Sequence, residues 1–236
     1  VAAAIAWMQA HIAPGPVDVM ALSLGCEFAT QVALRQPQAV RTLSLISPTG
    51  MEEDRGGELY EGGRTRVVEP LRAVLRKRSI GRGLYSALTT RLSMRWFLSR
   101  TWGGSDFDPR LLDHGRLCAQ APGARHAPLD FVCGALFTLG IIERYRQLPV
   151  PVWVAHGQRG SFDAFGACPT RTGEGLSVAS HRVVRTPFNS GALPQFEQAE
   201  AFDAAFENFL AAVAPGSRPG RVDADAIGRI DMRRPV

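Results

Sequence analysis

The chain has 236 residues, 45% of them apolar and 21% charged, with a formal charge of +5. That length and apolar share suit a folded domain of generous size and exclude a largely disordered chain. No run of eighteen uncharged apolar residues occurs, so no stretch has the length and character of a membrane-spanning helix.

The first segment, VAAAIAWMQAHIA, spaces Val1, Ile5, Met8 and Ile12 at near-helical intervals with no basic stretch before it. This predicts a helix that continues from something upstream rather than a secretory signal. Pro14-Gly15-Pro16 breaks it, and VDVMALS (Val17 to Ser23) follows as an apolar run of strand length. Gly25 punctuates that run, and Glu27 to Pro37 reads as a helix with Phe28, Val32 and Leu34 on its apolar side. VRTLSLIS (Val40 to Ser47) is a second buried-strand run, stopped by Pro48. Two apolar strands around a helix form a βαβ unit, which predicts parallel, right-handed pairing.

From Met51 to Leu148 the pattern changes. GGELYEGGR (Gly56 to Arg64) reads as a loop, and helical stretches follow at about Val67–Arg78, Leu84–Leu98, Arg110–Ala119 and Leu129–Leu148, with no strand signal. The α/β pattern resumes at VPVWVAHG (Val150 to Gly157), a strand led in by proline. A glycine-rich loop spans Gln158 to Gly175, and HRVVRTP (His181 to Pro187) is the next strand. A helix is expected from Phe196 to Val213, with Phe202, Ala205, Phe206, Phe209 and Leu210 on one face. The tail from Pro215 to Val236 is polar and rich in Pro, Gly and Arg, and is expected to be loose.

Charge is concentrated in one segment. Between Arg64 and Arg100 stand ten basic residues against the single acid Glu69, a local +9 that leaves −4 for the rest of the chain. Twenty-six of the 27 basic residues are arginine, with Lys77 the one lysine, a bias that a GC-rich genome produces without any nucleic-acid ligand. No nucleic-acid-binding motif accompanies the charge, so no nucleic-acid partner is expected. The expectation for this stretch is a lid whose arginines are solvated and whose aromatics (Tyr85, Trp96, Phe97, Trp102) pack on the core below. Contact with an anionic membrane surface or an acidic ligand is the alternative. The four cysteines, Cys26, Cys118, Cys133 and Cys168, form no C-x-x-C pair and no zinc spacing with histidine, and read as reduced and buried in a cytoplasmic protein. Neither a metal nor an organic cofactor is implied.

The piece that carries chemistry is ALSLG (Ala21 to Gly25), at the exit of a strand and the entrance of a helix. A serine there can be lifted above the sheet by a sharp turn, provided small residues flank it, as Ala21 and Gly25 do. The backbone N–H of Leu24 then points where an oxyanion would form, helped by the helix N-terminus that follows. The bland alternative is a tight turn whose serine caps the helix.

VDVMALSLGCEFATQVALRQPQAVRTLSLISP resembles the nucleophile-elbow segment of the α/β-hydrolase family. LPVPVWVAHGQRGSFDAF is similar to the strand and turn that supply that family's triad acid, and TPFNSGALPQFEQAEAFDAAFENFL to the segment that carries its histidine and closing helix. The resemblance covers Val1 to Ala212 apart from the inserted helices, and the order Ser, acid, His fits. It implies a parallel-sheet α/β-hydrolase fold, of which this chain holds the later strands, with a helical cap insertion. The family's first four strands and its second oxyanion donor would lie before Val1.

Two departures stand out. Gly191-Ala192 occupies the place of the family's glycine–histidine, and Gly160 that of its acid. Asp163, three residues on, is the substitute acid. Among other histidines, His156 at a strand end is expected to be packed or hydrogen-bonded, His181 to lie away from the active edge, and His114 and His126 to lie in the insertion. Glu52, Glu53 and Asp54 follow the second strand, where relatives sometimes keep an acid. A serine hydroxyl without a base is a poor nucleophile, and loss of a triad histidine costs on the order of a million-fold in rate.

The resulting organisation is 1–50 elbow part of the α/β core, 51–148 helical cap insertion, 149–214 C-terminal part of the core, and 215–236 tail. The function the resemblance implies is a bacterial serine hydrolase of ester-like small molecules, with Ser23 as nucleophile, Leu24 N–H as oxyanion donor and Asp163 as acid. The alternative is a non-catalytic protein that binds a small apolar ligand or a protein partner. Oligomeric state is not legible.

Overall fold

The computed structural model describes residues 15–50, 68–159 and 183–213, together with Trp7 and the backbone at 60–61 and 64–65. The elements run β1 (Val17–Leu22), α1 (Gly25–Arg35), β2 (Val40–Ile46), β3 (Tyr60–Glu61), β4 (Arg64–Thr65), α2 (Glu69–Arg76), α3 (Arg78–Leu88) and α4 (Arg91–Trp102). They continue as α5 (Pro109–Cys118), α6 (His126–Val132), α7 (Ile141–Arg146), β5 (Val152–Gly157), β6 (Val183–Phe188), α8 (Pro194–Glu197) and α9 (Ala199–Val213).

The four longer strands form one parallel sheet in the order β1-β2-β5-β6, as the βαβ reading predicts. Register fixes the carboxyl ends in a row: Leu22 lies beside Ile46, Ile46 beside Ala155, and Gly157 beside Phe188. Side chains alternate across the sheet, which builds two apolar layers. On one face, Leu43, Leu45, Val152 and Val154 pack with Cys26, Val32 and Ala33 of α1 and with Ile141, Tyr145 and Leu148. On the other, Ile46, Trp153, Ala155 and Phe188 meet Phe202 and Phe209 of α9, joined by the half-buried Ala205, Phe206 and Leu210.

Trp153 is the keystone of that second layer. It is wholly buried, with the rings of Phe202, Phe206 and Phe209 at 5.0, 5.5 and 6.3 Å and its indole N–H on Thr186 Oγ1 at 2.9 Å. Truncating an aromatic so placed costs about 3–5 kcal/mol.

Several boundaries differ from the sequence reading. The expected helix over Leu84–Leu98 is two helices, because Thr90 caps α4 with its hydroxyl oxygen accepting from the Ser93 amide at 3.2 Å. The stretch Leu129–Leu148 is broken by Gly134 and Gly140, which take φ of 77° and 65°, a conformation glycine adopts without steric cost. The short antiparallel pair β3–β4 stands where no strand was expected. Phe28 is exposed, whereas Val32 is buried as expected, together with Cys26, Glu27, Thr30 and Ala33. Cys26 and Cys133 are buried free thiols, but Cys118 is exposed, and Cys168 lies outside the described residues.

The segment between β2 and β5 is pinned to α1 by polar contacts. Glu27 of α1 is buried and accepts from the Thr49 hydroxyl (2.6 Å) and the Thr138 amide (2.5 Å). Gln31, one turn on, donates to Thr138 Oγ1 at 2.9 Å, and the Tyr145 hydroxyl donates to Thr49 O at 3.0 Å. Among the described residues no helix is long and apolar enough to cross a membrane.

Candidate active site

Ser23 follows β1 directly and sits at φ 52°, in the left-handed region that non-glycine residues rarely enter. Such a conformation costs about 1–3 kcal/mol and persists only where its surroundings impose it. Those surroundings are visible: the Ser23 amide donates to Ile46 O at 2.8 Å, and its carbonyl receives the Cys26 amide at 3.0 Å. The chain is thus held at both sides of the serine while it reverses from strand to helix. A Cβ on Gly25 would lie 4.0 Å from Ala21 Cβ, so two small residues meet there in ordinary van der Waals contact. The Leu24 carbonyl receives the Glu27 amide at 3.1 Å, whereas the Leu24 amide donates to no backbone carbonyl among the described residues. Ser23 is half-buried, and Leu24 immediately precedes the eleven-residue α1.

A second strained serine was not foreseen. Ser47 follows β2 directly at φ 43°, is buried, and donates its amide to Ala155 O at 2.8 Å and its hydroxyl to Ala192 O at 2.9 Å. Nothing in the sequence marks it beyond the strand end before Pro48. His156, on β5, is half-buried with Nδ1 3.3 Å from Gly157 O, in keeping with a hydrogen-bonded strand-end histidine. Burial pushes its imidazole below the ordinary range, against the pull of that carbonyl, and the Arg185 charge adds to the depression.

Ala192 is buried, its amide donating to Thr101 O at the end of α4 (2.8 Å) and its carbonyl accepting from Ser47. Gly191 donates to Glu197 Oε1 at 2.7 Å, and Arg159 pairs with the other Glu197 oxygen. The amides of Gln158 and Arg159 donate to Ser190 O at 3.0 and 2.9 Å. Burial raises the Glu197 carboxyl above its ordinary range, opposed by the Gly191 amide and by Arg159. The approach is close enough to demand glycine: a Cβ on Gly157 would fall 1.8 Å from Gly191 O, and one on Gly191 2.4 Å from Thr101 O. The loop after β5 and the loop after β6 are therefore laced to each other and to α4.

The remaining candidates are dispersed. Asp163, Gly160, His181 and Glu52 to Asp54 lie outside the described residues. His114 is exposed on α5, 3.5 Å from Cys118 Sγ, and His126 is exposed at the start of α6. Among the described residues no histidine hydrogen-bonds Ser23, and no group of three or more His, Cys, Asp or Glu could hold a metal ion.

No protein-family model matches the chain, and no curated protein matches it. Solved structures do. A probable hydrolytic enzyme from Pseudomonas aeruginosa PAO1 aligns with a TM-score of 0.61 at 18% identity, over 89% of this chain and 68% of that one. A meta-cleavage product hydrolase from Pseudomonas fluorescens IP01 aligns at 0.58, with 18% identity over 89% and 70% of the two chains. The enol-lactonase from Burkholderia xenovorans LB400 aligns at 0.57, with 17% identity over 89% and 70%. The chain has the α/β-hydrolase fold, with its four described parallel strands and flanking helices matching these neighbours.

Proposed function

We propose that this protein is a serine hydrolase acting on ester-like small molecules through Ser23. The observation that carries the reading is the backbone of Ser23, held at φ 52° between Ile46 O and the Cys26 amide at the carboxyl end of the sheet. A strained turn maintained against a cost of about 1–3 kcal/mol supports a reactive serine at this position. In acyl transfer the Ser23 hydroxyl passes its proton to water as its oxygen adds to the substrate carbonyl carbon, and the carbonyl π electrons move onto oxygen and are received by the Leu24 N–H at the α1 N-terminus. Collapse of that oxyanion expels the alcohol, which takes up a proton from water, before a second water releases the acid and restores the hydroxyl. Asp163 is the acid of this proposal, on the resemblance of its segment. That solved hydrolases share the fold supports a hydrolase-type activity on small molecules.

Ala192 favours a second reading, a non-catalytic protein that holds a small apolar ligand or a protein partner. Both its backbone groups are engaged in structure, and its methyl group can accept no proton. Labelling with a fluorophosphonate probe separates the two. The native protein is expected to label, and the Ser23→Ala variant to lose the label entirely. Absence of label on the native, folded protein would leave the binding reading in possession of the site.

A further inference from the structure

We infer that the exposed face of α4, with the basic helices that precede it, docks on an anionic lipid bilayer. From Ala73 to Arg100 the chain carries seven basic residues (Arg76, Lys77, Arg78, Arg82, Arg91, Arg95, Arg100) and no acid. Of the four aromatics expected to pack downward on the core, Tyr85 and Trp102 are half-buried, but Trp96 and Phe97 face solvent. Leu92 is 80% exposed, Trp96 61% and Phe97 60%, and Val74, Ile80 and Leu88 on the preceding helices are exposed as well. Leu92 and Trp96 stand one helical turn apart, as do Arg91 and Arg95 beside them. The Arg100 guanidinium lies over the Trp96 ring at 5.1 Å from its centroid. Arg91 stands 3.9 Å from Asp113, with both side chains largely in water.

Protruding Leu, Trp and Phe side chains ringed by cations are what an interfacial surface needs. The apolar groups enter the headgroup boundary, the indole prefers that depth, and the arginines pair with lipid phosphates. An acidic protein would satisfy the charge, but it would have to match one fixed arrangement of side chains. A bilayer needs only the cations around the apolar tips. This inference does not depend on the reactivity of Ser23.

The test is flotation of the full chain with vesicles of phosphatidylcholine containing a third phosphatidylglycerol, and with vesicles of phosphatidylcholine alone. Binding is expected to the anionic vesicles and to weaken with added salt. R95Q/R100Q is expected to weaken it about twenty-five-fold, about fivefold for each charge removed. L92S/W96S is expected to weaken it as well while leaving the circular dichroism spectrum unchanged, since both side chains are exposed. Equal binding to both vesicle types, or none to the anionic ones, overturns the inference. So does tight capture by polyglutamate that R95Q/R100Q abolishes and L92S/W96S does not affect, an outcome that assigns the face to an acidic protein.

Discussion

Two buried or half-buried carboxylates show how single residues fix this fold, and they do so with different consequences. Glu27 is buried in the first turn of α1, where its two oxygens accept from the Thr49 hydroxyl and the Thr138 amide. Removing it leaves two donors without a partner inside the protein, each worth about 1–3 kcal/mol of desolvation. Glu27→Ala is therefore expected to lower stability by about 2–4 kcal/mol, read as the shift of the urea midpoint. Asp18 on β1 is the pH-sensitive one. Burial pushes its carboxyl up, but hydrogen bonds from Arg41 and Thr42 and the Arg41 charge together hold it below its ordinary value. A depressed folded pKa means that the pair's contribution is complete above the ordinary carboxylate range and is lost as pH falls through the lowered value. Denaturation from pH 6 down to pH 2 should show the native protein losing its advantage over Asp18→Asn at the acid end. A constant difference between the two would mean that the carboxylate charge contributes nothing. Arg41 is partly exposed, so added salt should reduce the effect.

At the scale of elements, the lacing of the loops after β5 and β6 decides how the site region behaves. Glu197 joins Gly191 to Arg159, and Ser47 joins β2 to Ala192. Glu197→Ala strands the Gly191 amide, so hydrogen exchange at Gly191 and Ala192 is expected to speed up by one to two orders of magnitude, about 1–3 kcal/mol of local protection. Exchange as slow as in the native protein would show that the backbone bonds among 158, 159 and 190 suffice. These contacts also mark the limit of what the sequence discloses. The four strands were legible because each is a short stretch rich in Val, Leu, Ile or Trp, and the turn at Ser23 because ALSLG sits between a strand and a helix. The helix breaks were not, since a threonine cap at Thr90 and left-handed glycines at Gly134 and Gly140 are single-residue events inside apolar stretches. The lacing was invisible for another reason. It pairs Ser47 with Ala192 and Arg159 with Glu197, residues 145 and 38 apart in the chain, which no local pattern connects. Ala192 could be read only as a missing histidine, and the structure gives it a positive role as a backbone junction.

The whole molecule is asymmetric across its sheet. α9 covers β5 and β6, while β1 stands at the edge of the described sheet and pairs with β2 alone. Val19 and Ala21 pack toward α1, which sends the alternate residues to the opposite face, where Met20 is 43% and Leu22 38% exposed. An edge strand whose backbone groups are unpaired on one side and whose outward side chains are apolar is a template for pairing with another chain. Natural edges commonly carry a charged residue as a deterrent, and the one charged residue on β1, Asp18, is tied to Arg41 of β2. The isolated chain is therefore expected to associate as its concentration rises, at an onset visible by light scattering during slow heating. Met20→Lys/Leu22→Lys places two charges along the exposed face without touching the layer beneath α1. It should raise the onset temperature and the soluble yield, while R95Q/R100Q on α4 should leave both unchanged. If the lysine variant scatters as early as the native protein, association runs through some other surface, with the exposed apolar face of α4 the next to vary.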